Sequence, residues 1–495
     1  MNLLQKQGFF NSLILYAGVA LGFFNLIILF QRFLTIEEIG FFNLLIAIST
    51  LYVQIASPGL TSIILRYFPY YRSDDKIHGG FVTFISWFGG ISFLIVTGLF
   101  ILFKEPITHF YQEKKGGSLL TQYYYYLIPL SFFTLVFTIL EGLARTLFKN
   151  ILSAFLREVV LRICTAITVC LIFLKLANYT SFIFLYTLAN GLIVLILWWN
   201  LTKEKHFKLS PISEELHQNK KEIIRYGFFA VLSGSSFVLI QTLDTIMLSA
   251  MTAQSMAFVG IYATFFGVAT VISLPAKALN RTSYQIISEA WHNKDQTKIA
   301  KIYHKTSVVQ CLIGCLLLIG MIINKEHLIS LLHKPNYVQY FDVFIVLGLA
   351  FLVDITGGLN IQIINSSAYY KIVTFFLVAA VVLIIALNIL LIPTYGMMGA
   401  AISYLITTTL LNLVYFFFIK IKFGFQPFGK AHLLIILIST ICLLIGLYIP
   451  RLTNQYLDFF IRSTITTLLF SSSAYFLAIS KDINKTIDQI LFRII

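Results

Sequence analysis

The sequence predicts an all-α polytopic membrane protein of about fourteen transmembrane helices: two six-helix lobes related by a parallel pseudo-repeat, plus two extra C-terminal helices. Three observations predict it. The composition is 58% hydrophobic and 12% charged, with a mean hydropathy of +0.86, outside the range of soluble globular chains. Apolar runs long enough for the roughly 20 residues of a bilayer crossing recur at 8–30, 39–57, 80–103, 119–143, 158–176, 181–200, 226–251, 257–278, 307–324, 342–358, 372–392, 397–419, 432–449 and 459–479. The 36 Lys and Arg collect on one side of these runs. In alternate gaps the poorer side holds only Arg32, Lys104, Lys114, Lys115, Lys175, Lys325, Lys334, Arg451 and Arg462. By the positive-inside rule the richer side, with both termini, is cytoplasmic.

Taken in order, the first run is too long for a signal-peptide core and stays as a helix. Asn11, Gly18, Gly22, Asn25 and Arg32 fall on one of its faces. Thr35 followed by Glu37 and Glu38 reads as a helix cap. Asn43, Thr50, Gln54 and Ser57 then stripe the second span, with Pro58 and Arg66 beyond it. Tyr123–Tyr126 read as an aromatic belt at the rim of the fourth span. Glu141, Arg145, Glu158 and Arg162 bracket the next connection at helical spacing and can pair with one another. The polar stretch 201–225, with Pro211, reads as a cytoplasmic linker between an N-terminal lobe, 1–200, and a C-terminal lobe, 226–419; residues 432–495 add helices thirteen and fourteen and a tail. The eighth span repeats the second, with Pro275 and Arg281 answering Pro58 and Arg66. An even number of spans per half gives both halves one orientation, hence a parallel repeat. The segment 284–305 reads as an amphipathic surface helix, and Cys311 and Cys315 as packed thiols.

Charge and motif content narrow the function. The +15 net charge is what a basic cytoplasmic face requires, so it does not argue for nucleic acid. No nucleotide-binding loop, metal constellation or nucleophile pattern is present, no cofactor is called for, and the chain does not read as an enzyme. The scattered His read as solvated at interfaces. A charge at bilayer depth costs about 2.5–3.5 kcal/mol even on a lenient scale. The polar faces of spans one, two, seven and eight therefore predict a wet passage between the lobes. Arg66, Arg281, Lys277 and Arg32, with Gln54 and Asn25, are the residues expected to meet an anionic headgroup, arginine being suited to phosphate oxygens. Interface anchoring is the other reading of Arg66 and Arg281. Asp244, with Gln241 and Thr245, either pairs with a cation of the passage or serves as an ion-coupling site for a proton or Na⁺.

Three motifs then carry a resemblance. "NILLIPTYGMMGAAISYLI" (388–406), "RFLTIEEIGFFNLLIAI" (32–48) and "LRYFPYYR" (65–72) resemble the polysaccharide flippases, the O-antigen and lipid-linked oligosaccharide type of the multidrug/oligosaccharidyl-lipid/polysaccharide exporter superfamily. In the first motif Pro393 is expected to end a helix and Gly396 to make the tight turn. The resemblance covers nearly the full chain. It implies a multi-pass protein of a bacterial cytoplasmic (inner) membrane that flips a polyprenyl-pyrophosphate-linked oligosaccharide to the outer leaflet by alternating access. It also implies headgroup contacts at Arg32, Arg66 and Arg281, and a lipid tail sheltered by spans thirteen and fourteen. The implied partners are the glycan, membrane lipids and transient polysaccharide polymerase or glycosyltransferases. The alternatives are a drug/cation exporter of the same superfamily, or a membrane-embedded glycosyltransferase or polysaccharide polymerase. The missing large outer loop weighs against both enzymes.

Overall fold

Apolar runs of this length can satisfy their backbone in lipid by forming helices, and the described residues form helices without a strand. The computed structural model describes residues 3–73, 78–204, 207–479, 484 and 488. The main helices are α1 (Leu3–Phe23, a π segment Phe24–Leu29 and a last turn Phe30–Phe33), α2 (Ile36–Ala56), α3 (His78–Leu102) and α4 (Ser118–Thr146). Then follow α5 (Asn150–Phe155, a π segment Leu156–Val160, then Leu161–Phe173), α6 (Tyr179–Lys203), α7 (Glu214–Met251), α8 (Ser255–His292) and α9 (Gln296–Ile323). The series closes with α10 (Pro335–Thr356), α11 (Lys371–Tyr395), α12 (Met397–Phe423), α13 (Lys430–Tyr448) and α14 (Gln455–Phe476). Among the described residues, 11 helices are long and apolar enough to cross a membrane, and a shorter apolar stretch, Val238–Met251, lies within α7. The predicted all-α polytopic class stands.

Local chemistry explains the helix ends. Thr35 caps α2 as expected: its hydroxyl accepts the Glu38 N–H at 3.2 Å, and Glu38 accepts the Thr35 N–H at 2.7 Å. α2 stops at Ser57, and Gly59, at φ +67°, starts the short helix Leu60–Tyr71. At the turn between α11 and α12 the expectation is corrected. Pro393 lies inside α11, which continues to Tyr395, and Gly396 (φ +55°) alone reverses the chain. So close to the C-terminus the missing proline N–H removes one bond only.

Other expectations also change. Residues 284–305 are not a separate surface helix; they are the end of α8, a tight turn and the start of α9. In that turn Asp295 accepts the Lys298 N–H at 2.9 Å and the Thr297 hydroxyl at 2.7 Å, which holds its carboxyl below the usual carboxylate range. Residues 214–225 belong to α7, because Ser213 caps it. Tyr123 and Tyr124 are core rather than belt: Tyr124 stacks on Phe100 at 4.3 Å and donates to the Phe100 carbonyl. Tyr125 remains exposed. His78 and His432 are buried rather than solvated. The Ser307 hydroxyl donates to the Thr356 carbonyl and His432 Nε2 lies 2.9 Å from it, with Gly429 N–H directed at His432 Nδ1. With its proton already committed, Ser307 is a packed hydroxyl, not a nucleophile.

The chain divides into two compact units: residues 1–264 with Asn388–Met397, and Phe265–Leu387 with Met398–Ile495. The first unit packs α3, α4 and α6 around the short helix Leu60–Tyr71, with Phe68, Phe81 and Leu140 in its core. It also holds α7 and the start of α8 against α2. Gly40 and Gly260 face each other there so closely that a Cβ on Gly40 would lie 1.8 Å from the Met256 carbonyl oxygen. The second unit packs α13 and α14 on α9 through Cys311, Cys315, Ile435, Ile438, Cys442 and Phe470. There Asp458 and Arg462, both on α14, form a buried pair at 2.7 Å. Arg462 also donates to the Gly446 and Ile449 carbonyls, and His327 Nε2 lies 3.3 Å from Asp458.

Candidate functional site

The first unit places Asp244 of α7 fully buried between two other helices. The Tyr262 hydroxyl of α8 donates to one carboxylate oxygen at 2.8 Å, and Asn388 Nδ2 of α11 donates to the other at 2.8 Å. Asn388 is itself fully buried, and its Oδ1 has no hydrogen-bond partner. An unpaired buried acceptor costs about 1–3 kcal/mol, so the site brings a carboxylate and an unsatisfied amide carbonyl together inside apolar helices. Oxygen ligands of this kind suit a hard monovalent cation, and a carboxylate suits a proton. Gln241 is exposed and Thr245 half-buried; the groups bonded to Asp244 are Tyr262 and Asn388 rather than these two neighbours on its own helix. Asn388 stood out in its apolar run, but its long-range partner was not legible there.

Arg66, on the short helix after α2, is exposed, and its guanidinium lies 4.4 Å from the Tyr226 ring centroid and 5.5 Å from that of Tyr67. Cation–π contact holds it in place while keeping its charge at the surface. Arg32 ends α1 and is exposed; Gln54 is half-buried on α2. Asn25 departs from the expected shared face. It is buried, and its Nδ2 donates to the Arg162 carbonyl of α5 at 2.8 Å. The π segment explains this, since an extra residue in a turn rotates the following face by about 100°. The charged groups between the fourth and fifth spans pair as their spacing predicts, Arg145–Glu141 at 2.6 Å and Arg162–Glu158 at 2.8 Å, and Arg157 joins Glu141 at 3.2 Å.

In the second unit, Lys277 of α8 is exposed and within electrostatic range of Asp354 on α10. Asp354 escaped the sequence reading, although it is the one carboxylate deep in its apolar run. Asn412 Nδ2 donates to it at 3.3 Å, Asn360 Nδ2 donates to the Asn412 carbonyl at 3.2 Å, and the Tyr303 hydroxyl donates to Asn360. The cation on this wall is thus opposed by a carboxylate with its own amide network. The Arg281 side chain lies outside the described residues. Among the described residues no group of three or more His, Cys, Asp or Glu is placed to hold a metal ion.

Comparison with known proteins adds to this geometry. Residues 4–291 match the model of a family described as polysaccharide biosynthesis protein. An uncharacterized membrane protein of Methanocaldococcus jannaschii is 21% identical over 441 residues, which is 86% of each chain. The solved lipid II flippase MurJ, in an inward closed conformation, superposes with a TM-score of 0.74 at 14% identity, covering 94% of this chain and 98% of its own. An inward-facing multidrug resistance transporter of the MATE family, of the MOP superfamily, superposes at 0.66 and 14% identity, covering 82% of this chain and 94% of its own. At these identities the two solved structures establish a shared fold.

Proposed function

The chain belongs to the polysaccharide biosynthesis protein family, and from that premise we propose that it is a flippase for a polyprenyl-pyrophosphate-linked oligosaccharide, moved from the cytoplasmic to the outer leaflet by alternating access. The observation that carries this reading is coverage. The flippase fold accounts for 94% of the chain, whereas the multidrug transporter accounts for 82%. The longer match favours a lipid-linked cargo over a drug or cation, because helices beyond the twelfth are what the resemblance ties to a lipid tail. A glycan carrying two phosphates cannot enter hydrocarbon without losing its water. Arg66, Arg281, Lys277 and Arg32, with Gln54, are the groups proposed to replace that water. Outward movement of each negative charge gains about 2.3 kcal/mol per 100 mV when the inside is negative, so the loaded step can run on the membrane potential.

Asp244 has a separate role in this proposal. With Asn388 it exchanges a proton or Na⁺ and resets the empty carrier; Gln241 and Thr245 border the same helix face. The test uses purified protein in liposomes with a lipid-linked glycan, following its appearance in the outer leaflet. Asp244→Asn is expected to abolish the response to imposed proton or Na⁺ gradients and to slow multiple turnover at least tenfold. Unchanged gradient response in that variant removes the coupling role. Normal flipping by Arg66→Ala with Arg281→Ala removes the headgroup assignment.

A further inference from the structure

A cavity of about 360 Å³ lies wholly inside the first unit, among α1, α2, α4, α5 and α6. Its walls include both π segments of the first unit, which turn Asn25 of α1 and Glu158 of α5 into it. Such segments interrupt regular helix bonding and recur at functional sites. Two buried polar atoms on the cavity residues have no hydrogen-bond partner, Asn25 Oδ1 and Ser49 Oγ. Asn25 is 4% exposed and Ser49 3%. Each unsatisfied group costs about 1–3 kcal/mol, and here both occur beside one cavity.

The remaining lining specifies a chemistry. The hydroxyls of Thr50, Thr134 and Thr165 donate to the carbonyls of Ile46, Leu130 and Leu161, one turn earlier on their own helices. Their lone pairs are therefore the acceptors left over. The ionic groups are already matched, Glu158 with Arg162 and Arg157 with Glu141. A strongly charged ligand would have to break one of these pairs. A neutral ligand rich in hydroxyls would not: its O–H groups would donate to Asn25, Ser49, Glu158 and the threonines, while its oxygens would accept from the guanidinium groups. Phe137 and Tyr186 supply aromatic surface for an apolar ring face. Gly18 and Gly22 make room for this wall, since a Cβ on Gly22 would lie 3.0 Å from Arg162 Nη1. The volume is at the small end of ligand cavities, about 300–1,000 Å³, and suits a mono- or disaccharide rather than a whole glycan.

We infer that this cavity is a binding site for a neutral sugar, either free or as one unit of a longer glycan. The inference rests on the transport reading only for the source of that sugar. The test is occupancy. Thr50→Cys is introduced into the full chain, and its modification by a small neutral thiol reagent is followed by mass spectrometry, with the five native Cys as internal references. Glucose, galactose, N-acetylglucosamine and a lipid-linked glycan are compared with glycine betaine at equal osmolality. At least one sugar is expected to slow labelling threefold or more, and Glu158→Gln in the same background to raise the concentration needed at least fivefold. Protection by free sugar identifies a monosaccharide ligand, and protection by the lipid-linked glycan alone identifies a unit of the cargo. The inference is overturned if no sugar exceeds betaine, if Glu158→Gln leaves protection unchanged, or if the introduced thiol is unreactive throughout, since a sealed cavity admits no sugar. Loss of protection with normal flipping overturns this site alone; protection without flipping overturns the transport reading alone.

Discussion

At the residue scale, a polar group inside these helices is defined by its partner. Asp458 and Arg462 are both buried and bonded to each other, so removing one leaves the other uncompensated. Breaking a buried pair in this way costs about 3–5 kcal/mol, whereas replacing both by apolar groups is often neutral. Asp458→Ala is therefore expected to lower the melting temperature of the purified protein clearly. Asp458→Leu with Arg462→Met is expected to recover most of that loss. A single variant that melts like the parent would show that the pair does not hold α14 in place. Asp244 obeys the same logic with a different outcome: its partners are neutral donors, Tyr262 and Asn388. That arrangement leaves its charge to be balanced by something that comes and goes.

At the element scale, glycines decide how closely helices approach. A Cβ on Gly40 would strike the Met256 carbonyl, and one on Gly260 would lie 2.3 Å from the Ile36 carbonyl oxygen. Gly40→Ala must therefore separate α2 from α8 at that end. A cysteine replacing Ile39, which is fully buried, is expected to become reactive to thiol reagents only in the Gly40→Ala background; equal protection in both would show that the contact yields without opening. The α8–α9 turn makes a pH prediction. Asp295 has its carboxyl held below the usual range by the Lys298 N–H and the Thr297 hydroxyl. A lowered folded-state value means that the stabilisation is present above the unfolded carboxylate value, roughly pH 4, and is lost as pH falls through the lowered one. Amide exchange at residues 296–298 should accelerate over that acid interval, and Asp295→Ala should remove the pH dependence.

At the scale of the whole molecule, the cation asymmetry makes a topological prediction. Cysteines replacing Glu113 and Lys220 are expected to label from opposite sides of the membrane in intact cells, Glu113 from outside; labelling from the same side would break the alternation of spans. The helical architecture was largely legible because bilayer thickness sets run length and lipid leaves the backbone few alternatives. The Thr35 cap and the Glu141–Arg145 and Glu158–Arg162 pairs were legible for a related reason, since they need only local spacing. Asn25, Tyr262 and Asp354 were not. Helical periodicity says which face a side chain occupies, and a π segment shifts even that by about 100°.

Sequence alone thus determined how many helices this protein makes, where most of them turn, and which side its cations favour, because hydropathy, capping and charge act over short stretches of chain. Tertiary structure alone decided that Asp244 meets an asparagine 144 residues away, that Lys277 comes within electrostatic range of Asp354, and that a polar cavity opens inside the first unit. Those outcomes depend on which helix faces pack together, and packing is a property of many contacts at once rather than of any one run.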